Sequence, residues 1–338
     1  MRTISFLLLT ALAAAPLPAA NNDLKLTFID TEGGQSTLLV TPSGESLLID
    51  AGWPTTNGRD SDRIIAAAKK AGLKRIDYLL VTHYHLDHVG GVPELAAKFP
   101  IGTLIDHGAN IETNRGAQQL DAGYQKALAT GAKRLTVKPG DKLPFKDIQV
   151  EVVAANGEHI PGALKSGGQK NPICGTEPRK ADDPSENARS TGVLVTFGNF
   201  RFIDLGDLTW NKELDLVCPN NLIGPVDLFI TTHHGGDTSN PAAIVHGLHP
   251  RVAVMNNGAN KGGSPAAWKI ISSSPGLADL WQLHYSVAGA KDANVPADRI
   301  ANLEANCQGH NIEVEASKNG TMTVTNTRNS AKKVYKPL

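Results

Sequence analysis

Residues Ile76–Gly91 read IDYLLVTHYHLDHVGG. The first part is an apolar run with the length of a buried strand. The second places His83, His85, Asp87 and His88 within six positions and closes on two glycines. Neutral imidazole and carboxylate are good ligands for zinc and other borderline metals. Alternation along an extended chain puts His83 and His85 on one side, where both can meet one ion. Asp87 and His88, in the turn beyond, can reach a second. One strand end thus offers half the ligands of two neighbouring sites. A solvated polar loop has no physical reason to concentrate four ligand-type side chains in this way.

Working outward, LKLTFID (24–30) alternates apolar and polar residues like a half-buried strand. STLLVTP and SLLIDAG follow, separated by a turn, and predict a hairpin. SDRIIAAAKKAG (61–72) has an N-capping serine and a glycine past its end, so it predicts a helix. Downstream, PELAAKF (93–99) and QQLDAGYQKALATG (118–131) predict helices. DIQVEVVAAN is a strand, and TGVLVTFGNFRFIDLGD is a hairpin ending on Asp207. PVDLFITTHHGG and PRVAVMNNG are buried strands with polar ends, and GTMTVTNT is a strand near the C-terminus. Strands alternating with helices predict a layered α/β protein. Residues 157–188 are polar and rich in Gly and Pro. They predict a long insertion loop, expected to wall a substrate cleft.

The chain has 338 residues, with 33 basic and 33 acidic side chains. Zero net charge gives no electrostatic case for nucleic acid as a general partner, leaving it as a candidate substrate only. Residues 1–20, MRTISFLLLTALAAAPLPAA, have the charge, apolar stretch and small residues of a signal peptide, with cleavage expected near Ala19 or Ala20. Residues 21–338 are then expected to form a single domain, exported to the periplasm or secreted, with no membrane span. None of the three cysteines lies in a C-x-x-C pair. Cys174 and Cys218, both in proline-containing loop text, are the first choice for a disulfide.

HYHLDH resembles the H-x-H-x-D-H motif of the metallo-β-lactamase superfamily. LLIDAG, with Asp50, resembles that family's strand-end aspartate, which orients a ligand loop. FIDLGD resembles the segment carrying its bridging aspartate, and FITTHHGG its last histidine motif. The opening FIDTEGGQSTLLVTPSGESLLIDAG and the HHG ending are similar to the ComEC-like competence-protein branch. The resemblance implies an αββα sandwich of two mixed sheets flanked by helices, with two metal ions at one edge. Zinc is the expected metal, with manganese and iron as alternatives sharing its ligands.

The implied ligands are His83, His85, Asp87, His88, Asp207 and His233, with a third-motif position in addition. After DIQVEVV the family usually carries a histidine, and AANGEHI offers His159 there. Counting back from Asp207 instead reaches Asn187, which matches the branch lacking that histidine. Asp207 is preferred over Asp204 because it lies past the strand end. His234 is read as an outer-shell or substrate-facing neighbour of His233, with the reverse assignment open. In NNGANKGG (256–263), Asn257 and Lys261 could meet an anionic substrate, unless the segment is only a glycine-rich turn. His284, among aromatics in LWQLHYS, is a candidate proton donor, with a packed histidine as the alternative. His107, His246, His249 and His310 are read as structural.

These readings predict a hydrolase that uses a metal-activated hydroxide, with Asp87 orienting the water. A phosphodiester or phosphate ester is the favoured substrate. An amide or lactone, including a β-lactam, comes second. A metal-stabilised binding protein without turnover is the third reading.

Overall fold

In the strand Ser46–Ile49 every residue is buried, yet its neighbours divide them. Leu47 and Ile49 belong to one hydrophobic cluster and Leu48 to another. Leu228–Ile230 behaves the same way, with Leu228 and Ile230 on one side and Phe229 on the other. A strand buried on both faces needs cover on both sides, and each such side chain contributes about 1.5–3 kcal/mol on burial. The computed structural model supplies that cover as four layers. It describes residues 22–54 and 57–337, so the expected signal segment lies outside the described residues.

Each of the two sheets has nine strands. The first runs from the edge strand Lys332–Tyr335 through Met322–Asn326, Ile312–Ala316, Leu24–Phe28, Thr37–Val40, Ser46–Ile49, Ile76–Leu80 and Ile101–Asp106 to Lys133–Thr136. Its last four strands are parallel to one another and the others pair antiparallel. The second sheet has a parallel half, Phe200–Asp204, Leu228–Ile230, Val252–Met255, Asp279–His284 and Ile300–Asn302. Its antiparallel half contains Gly192–Phe197 and Gln149–Ala155. The sheets pack face to face, and Phe28 of one meets Phe202 of the other edge-on, with ring centroids 5.9 Å apart. Helices Arg59–Lys70, Val92–Lys98 and Arg115–Leu128 cover the first sheet. Helices Trp210–Val217, Ala242–Leu248 and Pro265–Ser272 cover the second. This is the expected αββα sandwich of two mixed sheets.

The segment 157–188, read from its text as a long insertion loop, is not structureless. Gln169–Lys170 pairs with Asn220–Asn221, and the disulfide Cys174–Cys218 joins it to the end of helix Trp210–Val217, with Cα atoms 5.6 Å apart. Arg179 pairs with Asp215 of that helix. No helix among the described residues is long and apolar enough to cross a membrane.

Two parallel halves facing each other have one consequence for function. The carboxyl ends of Ser46–Ile49 and Ile76–Leu80 come to the same edge as those of Phe200–Asp204, Leu228–Ile230 and Val252–Met255. Such ends are where α/β proteins place their ligand sites, and here they deliver Asp50, His83, Asp207, His234 and Asn256.

Candidate metal centre

The HYHLDH loop is folded by close approach and by Asp50. Gly90 and Gly91 are required by space, since a Cβ on either would lie 2.1 Å from a backbone oxygen, of Leu86 and Ala51 respectively. Asp50, itself left-handed at φ 59°, accepts hydrogen bonds from Thr82 N–H at 2.8 Å and the Thr82 hydroxyl at 2.7 Å. Its Oδ2 also lies 2.7 Å from His88 Nδ1. That contact fixes the hydrogen on Nδ1 and turns Nε2 into the centre.

Ligand atoms of Asp87, His88, Asp207 and His234 lie within 4.8 Å of one another, all four residues buried. His88 Nε2 is 3.2 Å from Asp87 Oδ2 and from Asp207 Oδ2. His234 Nε2 is 3.1 Å from Asp87 Oδ2 and 3.4 Å from Asp207 Oδ2. His83 stacks beside this group, its ring 4.1 Å from that of His88 and 4.7 Å from that of His85. His83 Nε2 and Asp207 Oδ1 are buried with no hydrogen-bond partner. Unpartnered buried polar atoms are uncommon and call for an explanation. A divalent cation suits both the orphaned atoms and this donor set of imidazoles and carboxylates.

The electrostatics agree. Burial, reinforced by the His88 charge, holds His83 well below the ordinary imidazole pKa, so it is a neutral potential ligand. Burial opposes ionisation of Asp207, but His234, His88 and His233 outweigh it and hold the carboxyl well below its usual range. Asp87 is depressed in the same way, by His88 and His234 against burial. Burial works against a charge on His88, yet Asp207, Asp87 and Asp50 raise its pKa well above the usual value.

The histidine doublet sits on a strained turn. His233 and His234 have φ of 53° and 55°, a conformation costing about 1–3 kcal/mol for each non-glycine residue. Asn240 holds the turn by donating to Thr232 O and Gly236 O, while His233 N–H donates to Gly206 O. The consequence is that both imidazoles face Asp207. His233 Nε2 is 3.4 Å from Asp207 Oδ2 but partly exposed, with Nδ1 2.9 Å from the Thr238 hydroxyl. His234, expected behind its neighbour, is the one buried among Asp87, His88 and Asp207.

The other expected residues fall into two groups. His85 joins the centre through the His83 contact, and its Nε2 is 3.1 Å from Glu112 Oε1. Glu112 Oε1 also accepts from Glu186 N–H at 3.2 Å, which brings the turn Glu186–Arg189 alongside. In that turn Asn187 Oδ1 is buried without a partner. Lys261 Nζ contacts Asp87 Oδ2, lies 3.3 Å from His234 Nε2, and stands 4.9 Å from the Trp53 ring centroid. By contrast, His159 is exposed on the two-residue strand Glu158–His159 and has no contact with the cluster. His284 is also not brought there. As the last residue of a fully buried strand, its Nε2 meets Asp30 Oδ1 at 2.6 Å. Asn257 spans Gly258 O and His284 O and shapes the loop. Asp204 points to Gln35, not to the imidazoles. Gln35, Glu112, Trp53 and Asn256 also stand at or beside the site, and no local sequence pattern singles them out.

The family model described as the metallo-beta-lactamase superfamily matches residues 30–168. The matched segment, which carries the Asp50 strand end and the HYHLDH loop, is that of the superfamily. The chain is 23% identical over 258 residues to the ComE operon protein 3 of Bacillus subtilis, covering 72% of this chain and 29% of that protein. It thus spans under a third of that relative's length. It is 26% identical over 268 residues to a UPF0173 metal-dependent hydrolase of Cupriavidus necator, covering 76% of this chain and 83% of the relative. An 80-residue stretch is 51% identical to a hydroxyacylglutathione hydrolase of Rhodopseudomonas palustris, covering 24% of this chain and 31% of that enzyme. Among solved structures, the metallo-beta-lactamase fold protein YhfI of Bacillus subtilis is similar at 13% identity and TM-score 0.47, over 77% of this chain and 96% of the other. The buried His/Asp cluster is thus a candidate metal site within a metallo-beta-lactamase-like fold.

Proposed function

We propose that the protein is an exported dinuclear hydrolase of phosphodiesters or phosphate esters, with zinc as its metal. The observation that carries the reading is the buried convergence of Asp87, His88, Asp207 and His234 beside His83, whose Nε2 has no partner. In this reading His83, His85 and Asp207 hold one ion, with Asn187 at the third-motif position in preference to the exposed His159. Asp87, His88, Asp207 and His234 hold the other. When bound, such ions acidify water toward neutral pH and stabilise charge developing on a phosphoryl or carbonyl oxygen. Asp87 orients the attacking water. Asp50 fixes the ring of His88. Lys261, at the rim with Trp53, attracts an anionic substrate. The resemblance of the opening FIDTEGGQ segment and the HHG ending to the ComEC-like branch is what favours the phosphoester choice. The short match to a hydroxyacylglutathione hydrolase favours an acyl centre, as in a lactone or amide, as the second reading.

The deciding experiment combines elemental analysis of zinc-reconstituted protein with assays on a phosphodiester, a lactone and a β-lactam. Two ions per chain with turnover of the phosphodiester supports the proposal. Fewer than one ion per chain ends it, and turnover of only the lactone or β-lactam transfers the site to the second reading. Two ions with no turnover of any of the three would favour a metal-stabilised binding protein. Export rests on the pattern of residues 1–20 and agrees with the disulfide. Recovery of protein beginning at Met1 from its native host would refute it.

The segment 157–188 is assigned to one wall of the cleft. Together with the start of helix Trp210–Val217 it lines a cavity of about 330 Å³ that includes Ala188 and Thr209, neighbours of Asn187 and Asp207. Excising Ser166–Ala181 also removes Cys174, so a Cys174→Ser/Cys218→Ser protein is the control. KM should change in the excised protein relative to that control, and equal kinetics would make the segment a surface insertion only.

A further inference from the structure

Four fully buried side chains from distant parts of the sequence form a chain of hydrogen bonds behind the candidate metal centre. Gln35 Nε2 lies 3.0 Å from both carboxylate oxygens of Asp204. Gln35 Oε1 lies 3.1 Å from Asn256 Nδ2. Asn256 Nδ2 lies 3.3 Å from His234 Nδ1. Exposure is at most 2% for each of the four, so water cannot substitute for a missing partner. The main chain of Gln35 also braces the HYHLDH loop, since its N–H donates to Asp87 O at 3.1 Å and its carbonyl accepts from Gly52 N–H.

We propose that Asp204, Gln35 and Asn256 are positioning residues that select, through the direction of this chain, the tautomer of His234 able to bind a cation. The inference rests on the reading of His234 as a ligand through Nε2.

The argument is one of donor and acceptor counting. A primary amide presents a donor at one end and an acceptor at the other, so two amides in series transmit direction. With the amides oriented as in the structure, Asp204 accepts from Gln35, Gln35 accepts from Asn256, and Asn256 donates to His234 Nδ1. The neutral imidazole then carries its hydrogen on Nε2, facing Asp87 Oδ2 at 3.1 Å, and Nε2 has no free lone pair for a metal. Binding a cation through Nε2 needs the hydrogen on Nδ1. Asn256 must then present its oxygen to Nδ1, Gln35 must present its nitrogen to that oxygen, and Gln35 Oε1 must face Asp204. Two facing acceptors repel, so Asp204 must carry a proton and donate it.

The reversed chain therefore holds one proton more than the forward chain. That proton comes from solvent and resides on Asp204, while the imidazole hydrogen is exchanged from Nε2 to Nδ1. Asp204 is suited to this role. Burial pushes its pKa up to about 7, with Asp50 adding to the rise, against the Gly206 N–H, Gln35 and the His88 charge. Among the described residues, Asn256 is the side chain within hydrogen-bonding distance of His234 Nδ1.

The test uses full-length protein, zinc supplied from a chelator buffer, calorimetric titration of both ions, and ¹⁵N shifts of the histidine rings. Gln35→Met should weaken the second ion by about 10–100-fold while changing the first by less than about threefold. Asp204→Asn offers a permanent N–H donor to Gln35 Oε1. It should keep the second ion at wild-type affinity and show His234 protonated on Nδ1, whereas Asp204→Leu should lose it. Wild-type binding of both ions by Gln35→Met would overturn the proposal, as would loss in Asp204→Asn equal to that in Asp204→Leu. If Asp204→Leu does not fold, the Asp204→Asn affinity and ring shifts decide. His234→Ala separates the two levels. Two ions retained there overturn the ligand reading itself, whereas loss there with no effect of Gln35→Met overturns the chain alone.

Discussion

Among the described residues, two clusters gather histidine, carboxylate and, in one case, thiol atoms within 4.8 Å: Asp87, His88, Asp207 and His234, and separately Asp30, His284 and Cys307. By ligand type alone the second is as plausible as the first. They differ in how the negative charge is balanced. At the second, Arg63 lies 3.0 Å from Asp30 and 3.2 Å from Glu32, and Arg59 also binds Glu32. Burial opposes the charge on Asp30, but His284 and Arg63 hold its pKa below the usual value. Burial and Asp30 push the Cys307 thiol up to about 11, so the sulfur keeps its proton and is a poor ligand. That cluster is already a closed ion-pair network. At the first, the ammonium that reaches the cluster among the described residues is that of Lys261, coming in from the rim with its side chain about one-third exposed. A lysine on a flexible stem can withdraw to solvent. An arginine wedged between two carboxylates and a helix cannot do so cheaply. Proximity of ligand-type residues is therefore insufficient, and what matters is whether a fixed cation already completes the set.

Substitution offers the strongest way to break this contrast. Asp87→Ala should lower kcat by about 10²-fold or more and reduce metal content, because it removes both a ligand and the group orienting water. His284→Ala should leave metal content unchanged. Elemental analysis of the two purified variants checks both statements. Metal lost from His284→Ala and kept in Asp87→Ala would invert the assignment.

Metal supply gives the next largest effect. An ion present at about 100 times its Kd stabilises the folded state by about 2.7 kcal/mol, or roughly 5–10 °C in Tm for a domain of this class. Chelation should lower Tm by that amount in the wild type and in His284→Ala alike. Arg63→Met probes the other cluster. It should cost about 2 kcal/mol of stability by leaving Asp30 less well paired, yet leave the zinc-dependent shift in Tm intact. A zinc shift abolished by Arg63→Met would mean that the two clusters are not independent.

The contrast also explains what the sequence could reveal. HYHLDH was legible because four ligand types fall within six residues on a strand end, and the layer order was legible from strands such as SLLI and DLFI. The doublet His233–His234 was not, because choosing between them depends on two left-handed residues that no local pattern specifies. Gln35 and Asn256 were beyond reach for another reason. They are 221 residues apart, and each reads locally as an ordinary loop or strand-end amide. Similarly, the apolar and aromatic text LWQLHYS cannot distinguish a free histidine from His284, whose partner Asp30 arrives from the far end of the chain. The strand Ile312–Ala316 does alternate in burial, but its short, charged IEVEA text became decisive only through its pairing with Leu24–Phe28.

Glu213 shows a third way of handling buried charge, and its predicted effect is the smallest from one pH unit to the next. It is fully buried on helix Trp210–Val217, beneath the histidine turn, and Oε2 accepts from Asn240 N–H at 2.6 Å. Asn240 in turn holds the carbonyls of Thr232 and Gly236. With neither a metal nor a paired arginine, Glu213 keeps its proton. Burial pushes its pKa up to about 8, against the nearby Thr232 hydroxyl, the Asn240 N–H and the charge of Lys180. In the unfolded chain it titrates near the ordinary glutamate value of 4.5. A folded pKa above the unfolded one adds stability that is complete below about 4.5 and is lost as pH rises toward about 8. Glu213→Gln keeps an uncharged group of similar shape and removes that titration. Denaturant unfolding of the two proteins across this window should therefore diverge, the wild type losing stability relative to the variant by at most about 1.4 kcal/mol per pH unit. Parallel curves would mean that Glu213 is ionised in the folded protein, and that the histidine turn rests on a buried carboxylate instead of a neutral acid.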